Sequence, residues 1–286
     1  KPGLSLFEMI EAANKGSLKA MYIMGENPVY NLPDSHAVET ALENLDFLVV
    51  QDIFLSETAR LADVVLPSLS WAEKDGTFTN LERRIQRVKK AVNREGMDDW
   101  RIVAEISRNM GVMFNYSDAE EIFAEICRVS PLHRDLTYEE IEKGSAIYPY
   151  KGEPLRGLEE IKIYKDSEKV SDNKLYVRLE RPLFHSGTLS RQAPALIKIY
   201  PEAVARISPD TAASISVKEG ESVKVSTQTG SMKLPVVIDS AVDNSSVFLT
   251  NNFEGKGVFS LIKYTIDPVT KAPCFEGNEL SIERVS

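Results

Sequence analysis

The 286-residue sequence has only two cysteines, three histidines and no long uncharged hydrophobic run. Cys127 and Cys274 lie far apart and in different contexts, so they predict neither a disulfide framework nor a zinc or iron–sulfur site. No stretch reaches the roughly 20 apolar residues of a membrane helix, and the start of the sequence lacks a charged region followed by a hydrophobic one. These absences predict a globular chain in a reducing, cytoplasmic setting without direct membrane insertion.

Nucleotide fingerprints and an overall basic character are also missing. The sequence contains neither G-x-G-x-x-G nor G-x-x-x-x-G-K, so the nicotinamide and P-loop signatures are excluded. The formal net charge is −9, and binding to phosphate polyanions needs clustered lysine and arginine. The basic run at residues 83–90 is typical of a solvated surface. The charge therefore argues against nucleic acid as the main partner.

The first half of the sequence alternates between helix and strand patterns. Apolar spacing predicts a helix from Leu6 to Ala13, a strand at residues 20–24 and a helix at "HAVETALENL". "DFLVVQD" predicts a buried strand, "SETARLA" a short helix capped by Ser56, and "DVVLPS" a third strand. We therefore predict an α/β fold with a Rossmann-like parallel sheet, in which ligands bind at the carboxyl ends of the strands.

Polar residues follow the first two of these strands. Gly25, Glu26 and Asn27 come after the first strand, and Asp52 closes the second. Gly25 allows close backbone approach, Asn27 offers a donor and an acceptor, and the Asp52 carboxylate can accept two N–H bonds. Such a carboxylate suits a guanine edge or a ribose diol. The same residue also suits a simple helix cap, so both interpretations of Asp52 stand.

The remaining sequence divides into three parts. The pattern is helical at "WRIVAEISRNMG" and "DAEEIFAEICRVSP". Residues 144–180, rich in Pro, Gly, Lys and Glu, predict a linker with one strand at "LEEIKIY". From residue 181, short alternating strands separated by turns predict a six-stranded barrel. We expect Gly220 and Gly230 to supply positive φ at two of its turns.

Three blocks, "MYIMGENP", "DFLVVQDIFLSETARLADVVLPSLSWAEKDGTFTNLERRIQRVKKAV" and "DDWRIVAEISRNMG", resemble the molybdopterin oxidoreductase family. Within it they are most similar to formate dehydrogenase catalytic subunits and to the G subunit of bacterial NADH-quinone oxidoreductase. The resemblance implies that residues 1–143 are the C-terminal part of a Rossmann-like domain binding molybdopterin guanine dinucleotide. It implies that residues 181–286 are a double-psi β-barrel that closes over the pterin. An iron–sulfur cluster is implied only for an N-terminal part absent from this sequence.

The resemblance also implies cofactor-binding residues at positions that match the family motifs. Those at the guanosine end would be Gly25, Glu26, Asn27 and Asp52. The block "E-x-x-G-T-F-x-N-x-x-R" adds Glu73, Gly76, Thr77, Asn80 and Arg83. The loop "LFHSGTLSRQAP" adds His185, Ser186, Gly187, Thr188, Ser190 and Arg191, and the late loop adds Asn251, Asn252 and Lys271. From the residues alone, Gly76 would make a turn and Arg83 would pair with Glu82 or Asp75 on the surface.

Function follows from the resemblance and from one departure. The stretches "LFHSGTLS" and "EKDGTFTNLERRIQRV" look more like the respiratory G subunit, which transfers electrons from NADH to quinone, than like a formate dehydrogenase. Glu276, which stands where formate dehydrogenases usually have a lysine, favours the same subunit. The alternatives are a molybdenum or tungsten formate dehydrogenase that oxidises formate to carbon dioxide, and a scaffold that has lost its cofactor. No catalytic or metal-binding residue is predicted here. The expected partners are the N-terminal remainder of the subunit and other subunits of a complex, peripheral to the inner membrane in the respiratory case.

Overall fold

The computed structural model describes residues 3–134, 136–144, 146–147, 174–185, 187–251, 253, 257–267, 270–275 and 278–285. The helices are α1 (Leu6–Asn14), α2 (Pro28–Asn31), α3 (Ser35–Glu43), α4 (Asp99–Asn109), α5 (Ala119–Val129), α6 (Tyr138–Glu142), α7 (Thr188–Arg191), α8 (Pro194–Ile199) and α9 (Pro209–Ser214). The strands are β1 (Ala20–Met24), β2 (Phe47–Asp52), β3 (Val64–Pro67), β4 (Gly76–Thr79), β5 (Ile85–Val88), β6 (Leu175–Glu180), β7 (Ala205–Ile207), β8 (Ser222–Ser226), β9 (Ser231–Ile238), β10 (Ser246–Thr250), β11 (Thr265–Ile266), β12 (Pro273–Cys274) and β13 (Glu279–Arg284).

The chain forms two compact units. The first comprises Lys1–Val50, Leu55–Val64 and Asp166–Ser286, and the second comprises Gln51–Phe54 and Val65–Lys165. The chain passes between the units within β2 and β3. Among the described residues, no helix is long and apolar enough to cross a membrane.

A three-stranded sheet has the order β1-β2-β3. The Lys19 carbonyl accepts N–H bonds from the residues that begin β2, and the N–H group of Asp63 donates to the Leu48 carbonyl, so neighbouring strands run parallel. One face is covered, because Ile23, Leu48 and Val50 pack in a core with residues of α1 and α3. The predicted α/β fold with a parallel sheet is thereby confirmed.

The opposite face of this sheet is largely open. Tyr22, Met24 and Phe47 are 43%, 51% and 47% exposed, while their strand neighbours Ile23 and Leu48 are 7% and 1% exposed. The prediction that β2 is fully buried was therefore wrong for Phe47. Strand side chains alternate between faces, and the helices of this unit cover only one of them.

Local sequence signals explain how α1 and the turn after β2 begin. Ser5 and Glu8 form a capping box at the start of α1, in which the Ser5 N–H donates to the Glu8 carboxylate. The Ser56 hydroxyl accepts from the Ala59 N–H as predicted. The segment that it caps is a single 3-10 turn at Ala59–Leu61, shorter than the predicted helix.

The first unit also contains a closed six-stranded barrel in the order β10-β6-β13-β8-β9-β7. The pairs β10/β6 and β7/β9 are parallel, and the other pairs, including the closing pair β10/β7, are antiparallel. Its interior is apolar, with Ile207, Val223, Val225 and Leu249 completely buried. The predicted six-stranded barrel is confirmed.

Two details of the barrel differ from the sequence analysis. Strand β6 lies inside residues 144–180, which were predicted as a linker, because "LYVRLE" pairs with both β10 and β13. The strand predicted at "LEEIKIY" lies outside the described residues. Gly220 has the predicted positive φ of 76°, whereas Gly230 does not. A Cβ at Gly230 would sit 3.1 Å from the Ser260 carbonyl oxygen, so close packing explains that glycine.

The second unit contains the β4–β5 hairpin and helices α4, α5 and α6. Its core includes Ile85, Phe123, Tyr138 and Ile141. Helices α4 and α5 confirm the two helices predicted between residues 100 and 131. Asp118 caps α5, since its carboxylate accepts from the N–H group of the third helical residue.

Candidate functional site

The loop after β1 contains a buried polar network. Gly25 adopts φ of 66°, and Asn27 is only 3% exposed. The Asn27 Oδ1 accepts from the Thr58 N–H at 3.1 Å and from the Thr58 hydroxyl at 2.7 Å. Its Nδ2 donates to the Glu57 Oε2 at 2.7 Å. The amide that we predicted for a ligand edge is therefore engaged inside the protein, where it orients Glu57 and Thr58.

Glu57 forms an ion pair with Arg191, a predicted site residue. The Arg191 Nη2 donates to the Glu57 Oε1 at 2.7 Å, and the side chains of Arg191 and Glu57 are 9% and 21% exposed. The guanidinium carbon lies 4.4 Å from the centroid of the Tyr30 ring, a cation–π distance. The buried Nε and Nη1 of Arg191 have no hydrogen-bond partner. Arg191 is thus a cation that Glu57 and Tyr30 fix in position, and two of its guanidinium nitrogens have no hydrogen-bond acceptor.

The hydrogen bonds to Glu57 also determine its ionisation. Partial burial raises the pKa of the Glu57 carboxyl, but the hydrogen bonds from Arg191 and Asn27 lower it by more, so the net pKa is below the usual value. Glu57 is therefore ionised at neutral pH.

Arg191 lines a cavity of about 500 Å³ next to the barrel. His185, Tyr200 and Phe253 form part of its wall, together with Met232. His185 is 1% exposed, and its Nε2 lies 2.8 Å from the Tyr200 carbonyl oxygen. Because a carbonyl only accepts, this nitrogen carries a proton. The structure thus brings His185 and Arg191, both predicted site residues, to one cavity.

The short loop between these two residues is organised by Ser190. Its hydroxyl donates to the Gly187 carbonyl at 2.6 Å, and Gly187 precedes the one-turn helix α7 that begins at Thr188. The Ser190 hydroxyl therefore shapes the turn that presents Arg191. Ser186 lies outside the described residues.

The late-loop residues fall in different places. Asn251 is 4% exposed, and its Oδ1 lies 3.4 Å from the Tyr30 hydroxyl, on the ring that Arg191 covers. Lys271 instead pairs with Glu8 of α1 at 3.1 Å. Hydrogen bonds from Ser5 and Lys271 lower the pKa of Glu8 to about 2. The described contacts of Lys271 thus connect it to α1, and Asn252 lies outside the described residues.

In the second unit, the end of β2 carries a charged network that the sequence analysis missed. The Asp52 carboxylate accepts from the N–H group of the next residue at 2.7 Å. Gln51 is completely buried, and its Nε2 donates to the Asp99 Oδ1 at 2.7 Å. Asp99 also pairs with Lys74. Burial raises the pKa of Asp99, and its bonds to Lys74 and Gln51 lower it further than burial raises it. Gln51, Lys74 and Asp99 all lie inside the blocks that resemble the family, and that position was the signal that could have indicated them.

The "E-x-x-G-T-F-x-N-x-x-R" residues divide into two groups. Gly76 and Thr77 begin β4 and line a groove of about 250 Å³ that Lys74 and Asp99 also line. Gly76 is therefore extended, contrary to the turn considered for it.

Glu73, Asn80 and Arg83 have local structural contacts. Glu73 caps a 3-10 turn through the Ser70 N–H at 2.8 Å and pairs with Arg94. Asn80 accepts backbone N–H bonds in the β4–β5 turn, and Arg83 adopts φ of 64° in that turn. Arg84, the next residue, lies 3.8 Å from Glu82. Within the part of the chain that the structure covers, no group of three His, Cys, Asp or Glu side chains has a metal-binding arrangement.

Comparison with known proteins identifies relatives across the chain. Residues 1–109 match the family model "Molybdopterin oxidoreductase", and residues 179–279 match "Molydopterin dinucleotide binding domain". The chain is 36% identical, over 99% of its length, to the F420-dependent formate dehydrogenase subunit alpha of Methanocaldococcus jannaschii. It has the same identity, over 99% of its length, to the F420-dependent formate dehydrogenase 1 subunit alpha of Methanococcus maripaludis.

These two matches cover 46% and 45% of the relatives, so the chain spans about half their length. A solved structure, acetylene hydratase from Pelobacter acetylenicus, superimposes with a TM-score of 0.74 at 20% identity. The superposition covers 98% of this chain and 46% of the hydratase. At 20% sequence identity, the similarity concerns the fold alone.

Proposed function

Because the chain belongs to the molybdopterin oxidoreductase family, we propose that it is the cofactor-binding portion of a formate dehydrogenase alpha subunit. The identity to two formate dehydrogenase alpha subunits supports this function. It favours the formate dehydrogenase alternative over the NADH-quinone oxidoreductase G subunit that the sequence analysis preferred. The preference for the G subunit depended partly on Glu276, which lies outside the described residues.

The observation that carries the cofactor assignment is the state of Arg191. Its side chain is 9% exposed and lines the 500 Å³ cavity, and two nitrogens of its guanidinium have no hydrogen-bond partner. Buried donors normally have partners, so these nitrogens fit a ligand that brings acceptor oxygens. Guanidinium groups match phosphate oxygens in geometry and charge. A molybdopterin guanine dinucleotide contains a diphosphate, and the residues present therefore fit this part of the cofactor.

Other residues would hold the cofactor around Arg191. In the first unit, His185 and Asn251 would contact the pterin dinucleotide beside Arg191. Considered by itself, the second unit offers the Asp52 carboxylate, an acceptor that suits the N–H donors of a guanine edge. The two parallel pairs of the barrel support the double-psi arrangement implied by the family resemblance.

The chemistry of the proposed reaction belongs to the cofactor. When bound, the molybdenum or tungsten pterin would supply the acceptor for the two electrons released when formate is oxidised to carbon dioxide and a proton. The residues of this chain would bind and orient the dinucleotide, and Leu234 of the apolar barrel core supports the wall of the cavity.

The test is elemental analysis for molybdenum and tungsten on the full-length protein, with mass spectrometry of the released pterin and nucleotide. We expect metal together with guanine dinucleotide. Arg191→Gln should lower the retained dinucleotide, whereas the matched control Arg284→Gln, which removes an exposed Arg–Glu pair on the barrel, should not. A well-folded protein without metal and pterin would make this chain a structural scaffold and refute the proposal.

A further inference from the structure

The guanidinium of Arg191 is restrained by two neighbours. The Glu57 carboxylate binds its Nη2 at 2.7 Å, and the Tyr30 ring lies 4.4 Å from its central carbon. Tyr30 is itself completely buried. An arginine side chain has many rotamers and loses considerable entropy when it is fixed in one. Here that ordering is achieved by contacts within the protein, before a ligand arrives.

Glu57 is in turn fixed by residues that do not touch the cavity. Its second oxygen accepts from the Asn27 Nδ2 at 2.7 Å, and Asn27 is bound at its other end by Thr58. Thr58 is completely buried, and its hydroxyl also accepts from the Val29 N–H at 3.1 Å. The carboxylate therefore has one oxygen for each partner, and it is tied to a rigid part of the first unit.

From this geometry we infer that Glu57 is a positioning residue of the anion site. Its carboxylate holds Nη2 of Arg191, whose side chain lines the cavity and whose buried Nε and Nη1 have no hydrogen-bond partner. The ligand class is a phosphate or diphosphate group, and this inference rests on the proposed function. Glu57 itself does not line the cavity, so it acts only through Arg191.

A competing effect has the opposite sign. Glu57 is an anion near the place where an anion would bind, and its removal would lessen electrostatic repulsion. However, Arg191 is 9% exposed, and a buried cation without an anionic partner is costly. Without Glu57 the guanidinium would move toward water and leave the cavity. We therefore expect the loss of positioning to outweigh the relief of repulsion, so the affinity for the anion should fall.

The experiment measures binding of inorganic pyrophosphate by isothermal titration calorimetry to the full-length protein produced without its pterin cofactor. The variants are Glu57→Gln, Arg191→Gln and the double variant. Glu221→Gln is the matched control, because Glu221 also accepts from an arginine Nη2 at 2.7 Å but does so on the outer barrel surface. Glu57→Asp, which keeps the charge and retracts the carboxylate, carries the test if Glu57→Gln does not fold. Thermal unfolding of each variant reports its integrity.

We expect Glu57→Gln to weaken pyrophosphate binding roughly tenfold, since charge-assisted hydrogen bonds are the strong ones. The double variant should bind no more weakly than Arg191→Gln alone, a coupling that general destabilisation would not produce. Normal or tighter binding by Glu57→Gln, with weaker binding by Arg191→Gln, would overturn the positioning role and leave the cofactor proposal standing. Unchanged binding in Arg191→Gln would remove the anion site and, with it, both proposals.

Discussion

Replacing Asn27 by alanine tests the buried network that organises the candidate site. The substitution leaves the Thr58 N–H, which is completely buried, without its acceptor. An unsatisfied buried donor costs about 1–3 kcal/mol. Loss of the bond to Glu57 adds about 1 kcal/mol, because Glu57 is 21% exposed and water replaces part of that bond. We expect the free energy of unfolding to fall by about 3 kcal/mol, a large fraction of the roughly 5–15 kcal/mol typical of a domain.

Urea denaturation followed by circular dichroism measures this change. Asn31→Ala is the matched control, because its amide lies 3.4 Å from Glu26 on an exposed surface and should change stability by less than about 0.5 kcal/mol. If Asn27→Ala lost no more stability than Asn31→Ala, the bonds from Asn27 to Thr58 would not be structural. The network could then not be the support on which Glu57 depends.

Three further predictions concern other residues. Gly257→Ala should destabilise the protein by about 1–3 kcal/mol in thermal unfolding. The φ angle of Gly257 is 64°, and the new Cβ would lie 3.0 Å from the Tyr30 ring. An unchanged Tm would contradict this prediction. The pKa of Glu8, about 2 when folded against 4.5 ordinarily, means that its stabilisation is complete above pH 4.5 and is lost as the pH falls toward 2. Glu8→Gln should flatten that acid limb of stability, and a limb as steep as the wild type's would refute the assignment. Asp52→Ala should lower the guanine nucleotide retained by the full-length protein while Tm stays nearly constant; full retention would exclude a ligand role.

The elements of the fold could be predicted because their signals are local. The strand at "DFLVVQD", the cap at Ser56 and the turn at Gly220 each involve only a few neighbouring residues. The exposed face of β2 could not be predicted in the same way. An apolar run at Phe47–Asp52 has the same appearance whether one face or two are covered, because coverage depends on distant helices.

Motifs in the sequence indicated which residues belong to the candidate site, but they did not indicate which of those residues contact one another. Family-like motifs indicated Asn27 and Arg191, yet nothing in their spacing indicated that Glu57 joins them. Glu57 and Arg191 are 134 positions apart, and periodicity carries no information over such a separation. Lys271 was predicted to bind the cofactor because of its positive charge, but in the structure it pairs with Glu8. Side-chain chemistry limits which partners are acceptable, and tertiary packing chooses among them.

The hydrogen bond between Tyr30 and Asn251 joins residues 221 positions apart within one compact unit. During synthesis at about 5–20 residues per second, roughly 10–45 s pass between the emergence of these two residues from the ribosome. Through that interval the β1–β2 segment exists without the barrel residues that complete its unit. Slow translation of the barrel would therefore lengthen the period in which this segment exposes apolar surface before its unit is complete.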